Sequence, residues 1–302
     1  MIPLTSARPA PAVVTPVVTL PRHGWADLAL KDETRQLSGA FKYRGTSHRV
    51  AGLAAGTRIV AASTGNHASG LAIAAAGRGL PLTVFVPNGT PQAKLNRIKG
   101  AGAQIILVDG GYDDCEHAAR RAADPTGAIF IHSFDDTDVI DGHRSLFREC
   151  EAQSGLPDIV FVPIGGGGLV TAALRQWGAR VRVVGVEYER APAMQLSLRR
   201  GRRITLDSAH GMPEGLLVRR IGQLAFDTCR HHDLEVITVS DREIRVGMRT
   251  LWHEAGITVE GAGAAAVAAA LARPDPDLRA LCVVSGGNID PATWERWVEE
   301  PA

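Results

Sequence analysis

Short apolar segments alternate with helical segments of about 10–15 residues along most of the chain. Segments 82–86, 104–108, 128–131, 158–163 and 280–285 each fit a short buried strand. The variable stretch of about 190–215 has the character of a loop. Strands separated by helices of this length form parallel βαβ units with right-handed crossovers. The alternation therefore predicts an α/β fold made of open, mostly parallel twisted sheets flanked by helices.

The alternation divides into two blocks. Residues 45–138 contain enough strands and helices to form a small doubly wound domain by themselves. A second series begins near Val139 and continues to the end of the sequence. We predict two domains, a large domain made of 1–44 together with 139–302, and a small domain made of 45–138.

Composition excludes several classes of protein. A formal net charge of +1 gives no sign of the electrostatic footprint expected for binding nucleic acid or an anionic membrane. No apolar run reaches membrane-spanning length, and the alanine-rich stretch 262–272 is too short. Cys115, Cys150, Cys229 and Cys282 are far apart, which indicates neither a zinc site nor a disulfide framework. The N-terminus does not resemble a signal peptide, so we expect a cytoplasmic protein.

A run of glycines follows the predicted strand 158–163. The run consists of Gly165, Gly166, Gly167 and Gly168, and a helical segment begins directly after it. Backbone N–H groups without neighbouring Cβ atoms, at a helix N-terminus, form a cradle for a phosphate. The spacing is not GxGxxG and no GK[ST] follows, which disfavours dinucleotides and triphosphates. A flexible turn is the alternative, but a glycine run costs conformational entropy that phosphate binding would explain.

Two further polar turns follow predicted strands. Ser63, Thr64, Asn66 and His67 offer hydroxyls, an amide and free N–H groups at a helix start, where a small carboxylate would fit. The alternative is an ordinary N-cap with a turn. Ser285 ends the strand 280–285, so its hydroxyl points into a crevice or bonds to nearby backbone. Ligands of open α/β sheets gather outside the carboxyl ends of strands, so these turns together predict one site.

Lys42 lies between Phe41 and Tyr43 at the start of a predicted helix. By position alone, a solvated surface charge is the favoured interpretation. A lysine combined with a single phosphate cradle and a carboxylate site instead suggests pyridoxal phosphate acting on an amino acid. Lysine forms Schiff bases with this cofactor, and burial lowers its pKa enough to make it a base.

The motifs together resemble the fold-type II (tryptophan-synthase-β-like) pyridoxal-phosphate enzymes, and within them the serine/threonine dehydratase and serine racemase group. The resemblance extends in order along nearly the whole chain. It is carried by SGAFKYRG (38–45), ASTGNHASG (62–70), TPQAKLNRIKGAGA (90–103), FDDTDVIDG (134–142), VPIGGGGL (162–169), VGVE (184–187), EGAGAAA (260–266) and SGGNID (285–290). As a set these motifs are specific, and the large domain is then the one that binds pyridoxal phosphate.

The resemblance implies a role for each matching residue. Lys42 would bind the cofactor covalently and then remove the substrate α-proton, Phe41 would lie beside the cofactor ring, and Asn66 would hydrogen-bond the ring hydroxyl. The substrate carboxylate would be bound by Ser63, Thr64, Asn66 and His67, the phosphate by Gly165 to Gly168, and the pyridine nitrogen by Ser285. The implied reaction is β-elimination, the dehydration and deamination of L-threonine or L-serine to a 2-oxo acid and ammonia. A homodimer is also implied, since dimers are common in this fold.

Two departures from the family pattern leave the substrate open. His143 and Arg144 stand where the family commonly has Gln-Gly. Arg144 is either a surface charge or a cation near the substrate side chain, which would favour an acidic substrate such as 3-hydroxyaspartate. Thr64 often corresponds to alanine in dehydratases, whereas the racemase has a hydroxyl there. A racemase, a 3-hydroxyaspartate dehydratase and a threonine-synthase-like β-replacement enzyme are therefore alternatives.

The remaining expectations concern other classes of site. A non-catalytic metabolite-binding protein is a further alternative, against which the intact Lys42 argues. Glu214 matches an acidic residue of the family's divalent-cation site, while Ser208, next to Asp207, stands where a second carboxylate is expected. The resemblance thus allows a divalent cation at Glu214 without requiring one. With 302 residues the sequence has no room for the regulatory domain of allosteric threonine dehydratases, and we expect no control by isoleucine.

Overall fold

The structure is a computed structural model that describes residues 9–299. These residues form two compact units, each built around its own sheet. The smaller unit contains 9–13 and Lys42–Gly142, and the larger unit contains Val14–Phe41 and 143–299. The predicted α/β class is confirmed, while the predicted domain assignment, 45–138 against the rest, stays a prediction.

The smaller unit has a four-stranded sheet in the order β5–β4–β3–β6, and all its strand pairs are parallel. Its strands are β3 (Ile59–Ala62), β4 (Leu82–Pro87), β5 (Gln104–Val108) and β6 (Ile129–Phe130). Its helices are α1 (Lys42–Ala51), α2 (Asn66–Ala76), α3 (Gln92–Gly100) and α4 (Tyr112–Thr126), and α5 (Thr137–Ser154) contains the boundary at Gly142. Tyr43, Leu71, Val84 and Ile98 are fully buried in its core.

The larger unit has a six-stranded sheet in the order β1–β2–β10–β7–β8–β9. Its strands are β1 (Val17–Leu20), β2 (Asp27–Asp32), β7 (Ile159–Pro163), β8 (Arg182–Tyr188), β9 (Glu235–Val239) and β10 (Arg279–Val284). Only β1 is antiparallel to its neighbour. Its helices are α6 (Gly168–Trp177), α7 (Ala193–Arg199), α8 (Gln223–His231), α9 (Asp241–Ala255), α10 (Gly261–Ala272) and α11 (Pro291–Glu299), with short 3-10 helices at Glu33–Arg35, Gly178–Arg180 and Glu214–Leu216.

The alanine-rich stretch forms the central helix α10 of the larger unit. Its residues from Gly261 to Ala270 are buried, because small side chains let neighbouring backbones approach closely. A Cβ atom on Gly247 of α9 would lie 3.0 Å from the Ala264 carbonyl oxygen, so α9 packs directly on the α10 backbone. No helix among residues 9–299 is long and apolar enough to cross a membrane.

One local prediction was wrong. The stretch 190–215 was expected to be a loop, yet α7 occupies Ala193–Arg199. The buried Glu187 carboxyl accepts hydrogen bonds from the backbone N–H groups of Met194 (2.6 Å) and Gln195 (2.8 Å). These bonds satisfy the first turn of the helix from a neighbouring strand, a stabilisation that the local sequence of 190–199 does not reveal.

Candidate active site

The loop that joins β3 to α2 lies in the smaller unit. The N-cap residue of α2 is Gly65, which has no side chain to satisfy the first N–H groups of this 11-residue helix. Gly65 N donates to Ser63 Oγ at 3.2 Å, so Ser63 shapes the turn, and Ser63, Thr64 and Asn66 are half-buried. The N–H groups and the dipole at a helix start attract an anion. This end of α2 fits the carboxylate site predicted for residues 63–67.

His67 is buried and uncharged. Burial, followed by the nearby Lys42 charge, lowers the pKa of His67 to about 3. Its Nε2 atom lies 3.3 Å from the Ile131 carbonyl oxygen, which can only accept, so Nε2 carries the proton. Nδ1 is then an acceptor, and within residues 9–299 it has no hydrogen-bond partner. The backbone N–H of His67, and not its ring, is therefore the group that could donate to a carboxylate.

Lys42 is the first residue of α1, and its side chain is half-buried. Nζ donates a hydrogen bond to the Ser133 carbonyl oxygen at 2.7 Å. Burial of the ammonium group lowers the pKa of Lys42 from 10.5 to about 8. The neutral amine, which is the nucleophilic and basic form, is thus accessible close to neutral pH. This environment differs from that of a solvated surface lysine.

The segment that follows β6, residues 131–135, was not predicted as part of a site. Its backbone provides the acceptors for His67 and Lys42, and the Ser133 Oγ atom lies 3.0 Å from the Tyr112 hydroxyl. One signal could have indicated it. The strand 128–131 was predicted, and β6 pairs in parallel with β3, so the two strand exits lie at the same edge of the sheet.

The glycine run lies in the larger unit, between β7 and α6. A Cβ atom on Gly165 would lie 2.5 Å from the Gly215 carbonyl oxygen, and one on Gly167 would lie 2.5 Å from Ala225 Cβ. Gly167 also has a φ of +94°, in the left-handed region that side chains rarely adopt. Gly166 is fastened by its carbonyl oxygen, which accepts from Gly222 N at 3.0 Å. Only glycine fits at positions 165 and 167, and α6 begins at this turn without a capping side chain, which suits a phosphate.

Ser285 follows β10 and is buried. Its Oγ atom donates to the Ala262 carbonyl oxygen at 3.4 Å, a long bond that a better acceptor could replace. Its carbonyl oxygen accepts from Phe41 N at 3.0 Å, and Ala40 forms a β-bridge with Gly286. Backbone bonds thus fasten residues 40–41 beside Ser285 within the larger unit. The Phe41 ring packs on the buried His143 ring, with centroids 4.8 Å apart.

Two other predicted residues lie in the larger unit. Arg144 Nε donates to Gln176 Oε1 at 3.3 Å, near the last residue of α6. Glu214 is the first residue of a 3-10 helix. Among the described residues, 9–299, no three His, Cys, Asp or Glu side chains lie close enough together to hold a metal ion. The cation at Glu214 and the substrate role of Arg144 stay predictions.

Comparisons with known proteins agree with this geometry. Residues 11–286 match the profile of the family described as "Pyridoxal-phosphate dependent enzyme". The chain is 38% identical over 273 residues to an L-threonine ammonia-lyase of Thermotoga maritima, covering 87% of this chain and 68% of that one. Threonine deaminase isoform 2 of Solanum lycopersicum has a TM-score of 0.90 at 26% identity, covering 98% and 89% of the two chains. Maize serine racemase has a TM-score of 0.87 at 30% identity, covering 96% and 93%.

Proposed function

Since the chain belongs to the pyridoxal-phosphate-dependent enzymes of fold type II, we propose that it is an ammonia-lyase acting on L-threonine or L-serine. The reaction removes the β-hydroxyl group as water and the amino group as ammonia, and leaves a 2-oxo acid. The observation that carries the proposal is the Lys42 amine, half-buried at the start of α1 with a pKa of about 8. The similarity to threonine ammonia-lyases supports the choice of substrate.

The residues present fit the cofactor. Side chains are sterically excluded at Gly165 and Gly167, which suits a turn that wraps a phosphate through backbone N–H groups. Lys42 carries the amine to which pyridoxal phosphate attaches, and Ser285 offers a hydroxyl that can bond the pyridine nitrogen. Phe41 and Asn66 are proposed to contact the ring and its hydroxyl. When bound, the cofactor supplies the electron sink that stabilises a carbanion at the substrate α-carbon.

The protein's own residues transfer the proton and bind the substrate carboxylate. The neutral Lys42 amine takes the substrate α-proton at Nζ, and its lowered pKa makes the neutral form available near neutral pH. The start of α2, whose N-cap residue Gly65 has no side chain, lies next to Ser63 and Thr64 and binds the substrate carboxylate through backbone N–H groups. A hydroxyl at Ser285, in place of a carboxylate, would offer the pyridine nitrogen no acidic partner, which would moderate the electron sink that the cofactor supplies and suit β-elimination.

Racemisation on the same cofactor is the second candidate. Two observations favour it, the half-buried hydroxyl-bearing Thr64 and the similarity to maize serine racemase. A racemase needs a proton donor on the face opposite Lys42, and Thr64 is the residue proposed for that step. The products distinguish the two reactions, since a lyase releases a 2-oxo acid and a racemase releases the D-amino acid.

Purified holoenzyme incubated with L-threonine, L-serine and 3-hydroxyaspartate tests the proposal. We expect 2-oxo acid and ammonia in equal amounts from L-threonine or L-serine, and none from the Lys42→Ala variant. Chiral chromatography of the same samples measures any D-amino acid. Formation of D-serine without 2-oxo acid would overturn the lyase assignment in favour of racemisation.

The family resemblance also supports proposals about the oligomeric state, the location and a divalent cation. We propose a homodimer in the cytoplasm, with a free amino acid as the partner molecule, and light scattering of the purified protein tests the dimer. A divalent cation bound at Glu214 would raise the melting temperature of the protein. An unchanged melting temperature after EDTA treatment, and in Glu214→Gln, would exclude that cation.

A further inference from the structure

Three residues of the smaller unit form a chain of hydrogen bonds that ends at the Lys42 amine. The Tyr112 hydroxyl, on the first residue of α4, lies 3.0 Å from Ser133 Oγ. The Ser133 carbonyl oxygen accepts from Lys42 Nζ at 2.7 Å. Helix α4 and the exit of β6 thus meet the start of α1 through one serine. Ser133 makes both contacts, and it lies outside the sequence motifs.

The backbone on each side of Ser133 is held in place independently. Ile131 N donates to the Val60 carbonyl oxygen at 3.0 Å, which continues the pairing of β6 with β3. His132 Nδ1 accepts from Phe134 N (3.2 Å) and Asp135 N (3.0 Å), which closes the turn that follows. The Ser133 carbonyl and the Phe134 N–H belong to one planar peptide, so the bond to His132 Nδ1 also restrains the direction of that carbonyl. The Tyr112 hydroxyl adds a second restraint, at the Ser133 side chain.

A hydrogen bond from His132 to Glu116 supports this turn from α4. Glu116 Oε2 lies 3.3 Å from His132 Nε2, and the hydrogen bond from His132 is the main reason that the pKa of Glu116 is lowered to about 2. Glu116 also pairs with Arg120 at 2.8 Å. Tyr112 and Glu116 are one helical turn apart, so α4 touches both His132 and Ser133 on the same face.

The phenol of Tyr112 stays protonated. Burial raises its pKa well above the ordinary value of 10, and the Glu116 and Asp113 charges raise it further. Tyr112 is therefore a hydrogen-bonding group and not a base at any pH at which the protein works. Tyr112 can therefore act on Lys42 only by restraining Ser133, which makes Tyr112 a positioning residue.

We propose that Tyr112 and Ser133 position Lys42, by holding the Ser133 carbonyl as the hydrogen-bond acceptor for the Lys42 amine whenever that amine is not bound to the cofactor. This inference rests on the proposed function, in which Lys42 is released from the cofactor, takes the α-proton and later reattaches. An accepting carbonyl favours the protonated amine and fixes its direction. Loss of the Tyr112 hydroxyl removes one of the two restraints on Ser133, so the carbonyl accepts from the Lys42 amine in a less fixed direction and the amine becomes less basic.

Several ionisable groups of the smaller unit lie around these hydrogen bonds. Among the described residues of this unit, the charges of Lys42 and His132 both lower the pKa of His67, which lies in α2. Tyr112 faces Glu116, Asp113 and Arg120, all on α4. His67 is uncharged near neutral pH, and the hydroxyl substitutions leave all of these charges unchanged.

The test measures the Lys42 amine in apoenzyme, without substrate. Competitive acetylation at a series of pH values, read by mass spectrometry of the Lys42 peptide, gives the pH midpoint of amine reactivity, and the exposed Lys99 serves as internal reference. The variants are Tyr112→Phe and Ser133→Ala. Tyr188→Phe is the matched control, since its hydroxyl bonds Asp241 at 2.8 Å in the larger unit, outside the proposed machinery.

We expect Tyr112→Phe and Ser133→Ala to move the Lys42 midpoint to lower pH, and to lower kcat by about three- to tenfold with KM within about twofold, the size of one hydrogen bond. Tyr188→Phe should leave both values as in the unsubstituted protein. An unchanged midpoint in both variants, with or without a loss of kcat, would overturn the inference, since a merely structural role lowers activity without moving the amine. A shifted midpoint in a protein that releases no 2-oxo acid would uphold the positioning role and sink the proposed lyase reaction instead.

Discussion

A Cβ atom on Gly167 would lie 2.5 Å from the Cβ atom of Ala225, at the turn where α6 begins. Gly167 also has a φ of +94°, so an alanine there would be strained by both its backbone and its neighbour. Helix α8, which carries Ala225, therefore packs directly against the glycine turn. The turn cannot relax away from an added methyl group without moving the N–H groups proposed to bind the phosphate.

We expect Gly167→Ala to weaken pyridoxal phosphate binding by at least about tenfold, because losing one or two backbone hydrogen bonds to a charged group costs roughly 1.5–3 kcal/mol each. Fluorescence titration of apoenzyme with the cofactor measures this. Gly178→Ala is the matched control, since Gly178 also has a positive φ, +54°, but a Cβ atom added there would meet nothing within 4 Å. Equal affinities in the two variants would contradict phosphate binding by this turn.

The rate at which pyridoxal phosphate attaches to apoenzyme should depend on the Lys42 amine. Burial lowers the pKa of Lys42 from 10.5 to about 8, and only the neutral amine attacks the cofactor. We expect the attachment rate to rise with pH below about 8 and to level off above it. Stopped-flow absorbance follows the reaction, and Lys42→Arg should show none of it. A rate that keeps rising toward pH 10 would indicate an amine with an ordinary pKa.

The stability of the protein should fall with pH because of Glu187. Burial raises the pKa of Glu187 from 4.5 to about 8, although two backbone N–H groups donate to it. Between these values the folded state holds a proton that the unfolded state releases, so the contribution of Glu187 to stability is present below pH 4.5 and is lost as pH rises through 8.

Urea unfolding between pH 5 and pH 8.5 tests this dependence. The difference in unfolding free energy between the unsubstituted protein and Glu187→Gln should shrink, and then change sign or level off, as pH rises. The exposed Glu295 provides a control, and Glu295→Gln should follow the unsubstituted protein at every pH. A difference that stays constant across this range would show that Glu187 has an ordinary pKa.

Arg144 addresses the choice between a neutral and an acidic substrate. Its guanidinium bonds Gln176, which is about 12 Å along α6 from Gly168 at a rise of about 1.5 Å per residue. We therefore expect Arg144→Ala to change kcat/KM by the same factor for serine, threonine and 3-hydroxyaspartate. The exposed Arg148, on the same helix, provides the control variant Arg148→Ala. A loss confined to 3-hydroxyaspartate would support the acidic substrate.

Local composition was enough to find the turns at 63–67, 165–168 and 285–288. Each combines a buried strand with glycine and small polar residues, a composition that is visible in a short segment of sequence. Ser133 could not be found this way, because it is separated from Lys42 by 91 residues and the residues around it do not form a glycine-rich turn. Ser133 follows β6, which pairs with β3 in the sheet of the smaller unit. The order of strands in a sheet cannot be predicted from any short segment of sequence.

The sequence by itself determined the α/β class and the family, because hydrophobic periodicity and short motifs extend over a few residues. The reason for glycine at 165 and 167, close contact with Gly215 and Ala225, appeared only in the tertiary structure. Only the tertiary structure decided the charge states. Lys42 with a pKa of about 8, His67 with a pKa of about 3 and Glu187 with a pKa of about 8 all owe their shifts first to burial. Burial is produced by residues distant in the chain, so the chemistry of these groups emerges only when the chain is folded.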